Sequence, residues 1–135
     1  MTEAWDRGDA EAYARCFTPD ASYVTFVGTT YLGRQDIAEC HRALFAKFGK
    51  GTRMRMEILS LGHPAPTTIT VVSSGDVTKK PPRRLAKMQT FTFTRDDDGE
   101  WLCAAFQNTK HHPLMERVSF LFDERFRPLR ERRRA

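Results

Sequence analysis

Long apolar runs are lacking in this chain of 135 residues, which argues against membrane-spanning helices. No run approaches the roughly 20 apolar residues that cross a bilayer, so we expect no membrane partner. The N-terminus carries Glu3, Asp6 and Asp9 where a secretory signal would have basic residues followed by an apolar segment. We therefore expect a cytoplasmic protein, and the length suits one hydrophobic core.

Cysteines are few and cofactor motifs are missing. Cys16, Cys40 and Cys103 are an odd number of widely spaced residues among apolar neighbours, which favours reduced structural thiols over disulfides or a metal site. The adjacent His111 and His112 would point to opposite sides of an extended chain and could not chelate one metal together. No glycine-rich dinucleotide fingerprint is present. We expect no metal and no cofactor.

Acidic residues are the minority, with 17 against 22 basic residues and a net charge of +5. Residues 116–135 contribute +3 of this, from seven arginines and four acidic residues. The sequence has no zinc-finger spacing and no aromatic RNA-binding signature, so we expect no nucleic-acid partner. We predict a single domain over residues 1–115 and an Arg-rich tail over residues 116–135. The apolar residues of the tail indicate a docked helix followed by disorder.

Two helices are predicted in the first half of the chain. Asp9 is placed to cap a short helix that runs from Ala10 to Phe17. The stronger signal is an apolar stripe with helical spacing, which predicts an amphipathic helix over residues 35–48. The stripe consists of Ile37, Cys40, His41, Leu44, Phe45 and Phe48.

Strand patterns dominate after Gly51, where Met54, Met56 and Ile58 alternate with charged residues. An Asp-Gly turn at residues 98–99 separates the last two strands. Helices followed by an antiparallel meander predict an α+β fold, a cone in which a curved, mostly antiparallel sheet wraps around the N-terminal helices. The predicted strands are residues 22–27, 54–58, 67–72, 84–95 and 101–109, with a turn at 63–66 and a loop around residue 75.

The spacing of several short motifs resembles a known family. The motifs are Trp5, Gly8-Asp9, Phe17, Asp20-Ala21, Gly28, Gly33-Arg34, Ile37, His41, Gly99-Glu100-Trp101 and Phe106-Gln107-Asn108-Thr109. Over residues 5–110 they resemble the SgcJ/EcaC branch of the SnoaL-like superfamily, whose members share the nuclear-transport-factor-2-like or cystatin-like cone. Branch members occur among genes for enediyne antibiotic biosynthesis. The resemblance implies a pocket for a hydrophobic polyketide-like molecule and a homodimer formed through the convex sheet face.

The same superfamily includes ketosteroid isomerase, and the register of the motifs allows a comparison with it. The position of the isomerase's general-base aspartate is occupied here by Thr25, whose hydroxyl cannot hold an abstracted proton near neutral pH. The position of its oxyanion-binding tyrosine would fall at Met1, which leaves open an upstream start or a shortened first helix. We therefore do not expect ketosteroid-type isomerase chemistry.

His41 and Tyr13 are the candidate catalytic residues. His41 lies within an apolar helical stripe, where it is either a proton shuttle in the pocket or a core histidine bonded to a backbone carbonyl. Tyr13 could donate its hydroxyl to a substrate oxygen, or its ring could simply fill the core beside Phe17.

Five further residues are predicted to line the ligand-binding pocket. Gln107 is predicted to point inward on the face it shares with Trp101, with Asn108 pointing outward. Thr25, Met54 and Met56 complete the predicted lining, although alternating methionines are also typical of a core. Two functions remain open: a cofactor-free cyclase, dehydratase or isomerase acting on an apolar polyene, and a non-catalytic module that holds or protects a hydrophobic ligand.

Overall fold

The computed structural model describes residues 1–132, which form helices followed by a curved sheet and a helical tail. The helices are α1 (Thr2–Asp6), α2 (Ala10–Arg15), α3 (Arg34–Lys47), α4 (Pro113–Phe122) and α5 (Leu129–Arg132), with a 3₁₀ helix at Glu124–Phe126. The strands are β1 (Phe17–Val24), β2 (Thr30–Leu32), β3 (Arg53–Ala65), β4 (Thr68–Thr78), β5 (Lys87–Arg95) and β6 (Trp101–Lys110). The predicted α+β class is confirmed.

All six strands belong to one sheet in the order β2-β1-β6-β5-β4-β3. Each neighbouring pair is antiparallel except β1 and β6, which are parallel, with Tyr23 opposite Phe106. The first and last strands of the domain therefore lie side by side in the middle of the sheet. The prediction of a mostly antiparallel sheet is confirmed.

The helices cover one face of this sheet because their apolar residues recur at helical spacing. Helix α3 begins at Arg34, one residue before the predicted start, and buries Ile37, Ala38 and His41. Helix α2 is capped as predicted, since Asp9 Oδ1 accepts a hydrogen bond from the Ala12 N–H at 2.8 Å. The helices and the inner sheet face enclose the hydrophobic core.

Strand β1 begins five residues earlier than predicted, at Phe17, and ends at Val24. Pro19 lies inside this strand, where the register against β6 is irregular between Phe17 and Ser22. Gly33, which precedes α3, has a φ of +86°, and a Cβ there would lie 3.3 Å from the Pro19 carbonyl oxygen. Both the backbone conformation and the space therefore favour glycine at this entry to the helix.

Strands β3 and β4 are longer than predicted, because the segments read as a turn and a loop continue the ladder. Gly75, predicted in a loop, pairs with both Met56 and Lys87. A Cβ on Gly75 would lie 2.1 Å from Gln89 Oε1, so glycine makes room for the Gln89 side chain on the inner face. The glycine therefore marks a close approach inside a strand rather than a turn.

The tail forms a helix, but that helix is not docked as predicted. Within residues 1–132, α4 packs only against the following 3₁₀ helix and against no strand and none of α1–α3. Its side chains Leu114, Leu121 and Phe122 are exposed. The disorder predicted for the end of the chain falls partly on residues 133–135, which lie outside the described residues. No helix in the described part of the chain is long and apolar enough to cross a membrane.

Candidate functional site

A cavity of about 260 Å³ lies between the inner face of the sheet and the helices. Its lining comes from α1, α2, α3, the β1–β2 connection and every strand, so the whole fold is needed to form it. The lining residues are Trp5, Tyr13, Tyr23, Thr25, Phe26, Val27, Thr29, Tyr31, Leu44, Met54, Asp76, Val77, Lys87, Gln89, Phe91, Phe106 and Asn108.

Aromatic rings form most of the apolar wall. Phe106 lies between two of them, with ring centroids 4.6 Å from Tyr23 and 4.7 Å from Phe91. Trp5 meets Tyr13 edge-on at 5.5 Å. Rings held by such contacts give a rigid surface of high polarisability, which suits a flat or conjugated ligand.

The two buried phenols of this wall are protonated at physiological pH. Burial raises the pKa of Tyr13 well above its usual value, and the neighbouring Tyr23 raises it further. The pKa of Tyr23 is also raised, chiefly by burial. The interaction between the two hydroxyls raises the pKa of Tyr13 and partly offsets the effect of burial on the pKa of Tyr23. Both groups can therefore donate or accept hydrogen bonds, but neither is poised to act as a base.

His41 is buried at 1% exposure and packs on Tyr13, with ring centroids 4.4 Å apart. Its Nδ1 lies 2.7 Å from the Ile37 carbonyl oxygen. Because a carbonyl oxygen only accepts, Nδ1 carries the proton and Nε2 keeps its lone pair. Nε2 has no hydrogen-bond partner among residues 1–132. His41 thus has the backbone bond of a core histidine together with one nitrogen available as an acceptor.

Burial lowers the pKa of His41, and its bond to the Ile37 carbonyl only partly offsets this effect. The unfolded chain, with a histidine pKa near 6.5, therefore takes up a proton before the native protein does. Above that pH both states are neutral, and below it the free energy of unfolding should fall as the pH drops towards the native pKa. Urea denaturation between neutral and mildly acidic pH measures this fall. His41→Gln should flatten it, and an unchanged pH dependence in that variant would contradict the assignment.

The polar end of the cavity is formed by an ion pair and by an amide. Lys87 Nζ lies 2.5 Å from Asp76 Oδ1, and both side chains are largely buried. The Lys87 ammonium also lies 5.0 Å from the centre of the Phe26 ring. Gln89 is held on the inner face, with its Oε1 accepting a bond from Ser73 Oγ at 3.2 Å. The carboxylate at this end is therefore neutralised by a fixed partner.

Two buried oxygens of the lining have no hydrogen-bond partner in the described part of the chain: Thr25 Oγ1 and Asn108 Oδ1. An unpaired buried polar atom costs about 1–3 kcal/mol, so such atoms are normally bonded to protein, water or a ligand. Thr25 Oγ1 can donate or accept, whereas Asn108 Oδ1 accepts. The cavity thus presents two unpaired polar atoms in addition to its paired polar end.

The predicted inward orientation of Gln107 is wrong. Gln107 is exposed, and Asn108, predicted to point outward, lines the cavity instead. The ladder between β5 and β6 shifts by one residue, because Phe93 pairs with Cys103 while Thr92 pairs with Ala105. This bulge reverses the facing of every later residue of β6.

The other predicted lining residues divide into two groups. Thr25, Tyr13 and Met54 line the cavity, while His41 lies behind Tyr13 and lines an adjacent hollow. Trp101 and Met56 line neither, a correction to the prediction, and they are 38% and 42% exposed. Trp101 precedes the bulge at one end of β6. Met56 lies on the edge strand β3.

Sequence reasoning missed the ion pair and the amide at the polar end. Asp76 was placed in a loop, so its neighbour Lys87 could not be recognised as a cross-strand partner. Val71, Ser73 and Gly75 alternate in burial along β4, but Ser73 and Gly75 carry no apolar side chain that would show this alternation in the sequence. Asn108 could be found only from the bulge.

The titratable groups of the site limit its chemistry. Burial raises the pKa of the Cys103 thiol to about 12, and that of Cys40 is raised to about 11. Both therefore remain protonated and weakly nucleophilic. Among residues 1–132 no cluster of three or more His, Cys, Asp or Glu residues could hold a metal ion. Nε2 of His41 can accept a proton, and the neutral phenols can donate hydrogen bonds.

Comparisons with solved structures agree with this architecture. A cystatin-like domain of unknown function from Nostoc punctiforme is 28% identical, with a TM-score of 0.74 over 99% of this chain and 84% of its own. An NTF-2-like protein of unknown function from Shewanella oneidensis is 16% identical, with a TM-score of 0.68 over 81% and 89%. A ketosteroid isomerase-like protein from Erwinia carotovora atroseptica is 20% identical, with a TM-score of 0.62 over 82% and 88%.

No curated protein matches the chain. The family model of the SnoaL-like domain matches residues 1–103, which include the N-terminal helices and the beginning of the last strand. That span covers most of the cavity-lining residues. The chain therefore belongs to the SnoaL-like domain family and has its cystatin-like, NTF2-like fold.

Proposed function

We propose that this protein binds a small, apolar, conjugated molecule in the aromatic cavity. The observation that carries the proposal is the pair of buried, unpartnered oxygens, Thr25 Oγ1 and Asn108 Oδ1, in a wall of packed rings. A ligand that bonded both would remove a cost that the free protein bears, while its flat body contacted Phe91 and Phe106. Mostly apolar pockets with a few placed polar groups are typical of small-molecule sites.

The ligand class that we propose is a polyketide intermediate of natural-product biosynthesis. This rests on the resemblance of the motif spacing to the SgcJ/EcaC branch, whose members occur beside enediyne biosynthesis genes. The aromatic wall suits a polyene, and the two free oxygens suit the hydroxyl or amide donors of such a molecule. The role is that of a holding or shielding module in the cytoplasm, where the cavity keeps a reactive polyene away from water.

The proposal is tested by mass spectrometry of molecules that co-purify with the protein, followed by titration of any that are found. Thr25→Val keeps the shape of the side chain and removes its hydroxyl, and should weaken binding by about fivefold to tenfold, as for one hydrogen bond. Thr29→Val is the matched control, since its hydroxyl is not among the buried unpartnered atoms. Equal affinity in both variants would argue against ligand contact at Thr25.

A second candidate function is cofactor-free catalysis, as a cyclase, dehydratase or isomerase. The observation in its favour is His41, whose lowered pKa and unpartnered Nε2 leave a neutral imidazole able to accept a proton beside Tyr13. Tyr13 would serve as the hydrogen-bond donor to a substrate oxygen. Access to Nε2 would come through the hollow that His41 lines.

His41→Gln and His41→Leu separate catalysis from binding. Gln keeps one hydrogen bond but cannot take up a proton near neutral pH, while Leu keeps only the apolar packing. If His41 is catalytic, the His41→Gln variant should bind the identified ligand as the parent does, and its turnover should fall by about 10²-fold or more. Retained turnover in the His41→Gln variant would exclude His41 as the catalytic residue. If the protein only binds its ligand, no turnover is seen in the parent, His41→Gln should keep the affinity and His41→Leu should lose it.

We also propose a homodimer formed through the convex face of the sheet. The outward-facing Val72, Thr90 and Gln107 of its central strands are exposed within residues 1–132, so this part of the face is open to a partner. Light scattering at micromolar concentration should give twice the chain mass of 15.6 kDa. Val72→Arg should convert this species to a monomer, because it would place an unpaired charge in the proposed interface. A wild-type monomer would refute the dimer.

A further inference from the structure

A second hollow of about 380 Å³ lies beside helix α3 and adjoins the inner cavity. Its lining residues are Tyr23, Thr25, Tyr31, Cys40, His41, Ala43, Leu44, Lys47 and Phe48. Four of these, Tyr23, Thr25, Tyr31 and Leu44, also line the inner cavity. The two hollows therefore meet at a shared wall rather than on opposite sides of a packed core.

The sizes of the two hollows favour a joint use. Ligand pockets usually measure about 300–1,000 Å³, and the inner cavity of about 260 Å³ falls below that range by itself. Two side chains of the shared wall, Tyr31 and Leu44, are only half-buried at the edge of the core, which gives them more room to change rotamer than a buried side chain has. Together the two hollows reach the ordinary size of a binding site.

The distribution of polar groups gives this combined site a direction. Thr25 Oγ1, buried and unpartnered, lies in the wall that both hollows share. In the inner cavity, the ammonium of Lys87 is already neutralised by Asp76. At the outer hollow, Lys47 makes no ion pair with any residue in the described part of the chain. The free positive charge is therefore at the outer end.

We infer that the two hollows form one site for a single elongated carboxylate, and this inference rests on the proposed small-molecule function. The apolar body lies against the aromatic wall of the inner cavity. The chain passes Thr25 at the shared wall and follows α3 across Ala43. The carboxylate meets the ammonium of Lys47 at the outer end. Linear polyene acids and fatty acids share this chemistry, and the experiment distinguishes them.

The test is displacement of the fluorescent polyene cis-parinaric acid by straight-chain carboxylates of about six to about eighteen carbons. Each further methylene that enters the site should raise affinity by about fourfold until the two hollows are filled. Tighter binding of the polyene acid than of the saturated acid of equal length would identify a conjugated ligand. The reverse order would identify a fatty acid.

Ala43→Trp tests whether the chain uses the outer hollow. Ala43 lines that hollow and not the inner cavity, so the indole should block it and leave the interior intact. The longest acids should lose about tenfold or more in affinity, while the shortest bind as before. Ala46→Trp is the matched control, because Ala46 lies on the same helix and lines neither hollow. Equal affinities for long acids in both variants would overturn the inference.

Lys47→Gln tests the orientation. The substitution should weaken the binding of the longest carboxylates by roughly fivefold, as for an exposed ion pair, and leave the binding of alcohols of the same length unchanged. An equal effect on acids and alcohols would overturn the proposed position of the carboxylate. If short and long acids bind the parent with the same affinity, the single-site inference fails while the inner cavity keeps its function. If no apolar acid or alcohol binds at all, the proposed function fails as well.

Discussion

Phe17→Ala is expected to lower the free energy of unfolding by about 3–5 kcal/mol, the usual cost of removing a buried phenylalanine ring. Phe17 is completely buried, with its ring centroid 5.4 Å from Tyr13 and 5.7 Å from Tyr23. Its loss would leave a void behind the two phenols that line the cavity. Urea denaturation should show a lower midpoint with an unchanged slope.

Phe122→Ala is the control for that experiment, because Phe122 is 82% exposed on helix α4. It should change the free energy of unfolding by no more than about 0.5 kcal/mol. A loss of similar size in both variants would mean that α4 packs against the domain in solution. A loss below about 1 kcal/mol for Phe17→Ala would contradict the position of its ring in the core.

Lys87→Met is expected to cost about 3 kcal/mol, because it leaves the Asp76 carboxylate largely buried without its partner. The side chains of Lys87 and Asp76 are only 16% and 12% exposed. We take the lower end of the usual 3–5 kcal/mol because some solvent still reaches both groups. Chemical denaturation of Lys87→Met, Asp76→Asn and the double variant completes a thermodynamic cycle.

In this cycle the double variant should be less destabilised than the sum of the single variants, since it leaves no unpaired charge. Arg42→Met is the control, because Arg42 pairs with Glu11 and Glu39 and all three side chains are about half exposed or more. Its loss should leave the free energy of unfolding nearly unchanged, because solvent screens an exposed pair. Additive single effects at Lys87 and Asp76 would show that the pair does not interact in solution.

Features governed by local periodicity could be predicted from the sequence. Helix α3 lies within one residue of its predicted ends, because an apolar stripe of four turns determines both its position and its buried face. Asp9 caps α2 as predicted for the same reason, since capping depends on neighbouring residues alone. The α+β class followed from the order of such local elements.

Features that depend on a partner strand could not be predicted. The bulge that turns Asn108 inward and Gln107 outward exists only in the pairing of β6 with β5. The place of Gly75 inside β4 depends on the Gln89 side chain of the neighbouring strand. The ion pair between Asp76 and Lys87 joins two strands whose register a single sequence does not contain. The helical side of the cavity was therefore predicted better than its sheet side.

The parallel pairing of β1 with β6 has a consequence for synthesis of the chain. Strand β1 begins at Phe17 but finds its central neighbour only when β6, which ends at Lys110, has left the ribosome. Until then the emerging chain can form α3 and the hairpins of β3, β4 and β5, yet it exposes the inner edge of β1. Bringing β1 and β6 together closes a long loop, and the chain loses this conformational entropy before the contacts between the two strands stabilise it. We therefore expect the docking of β1 and β6 to limit the folding rate.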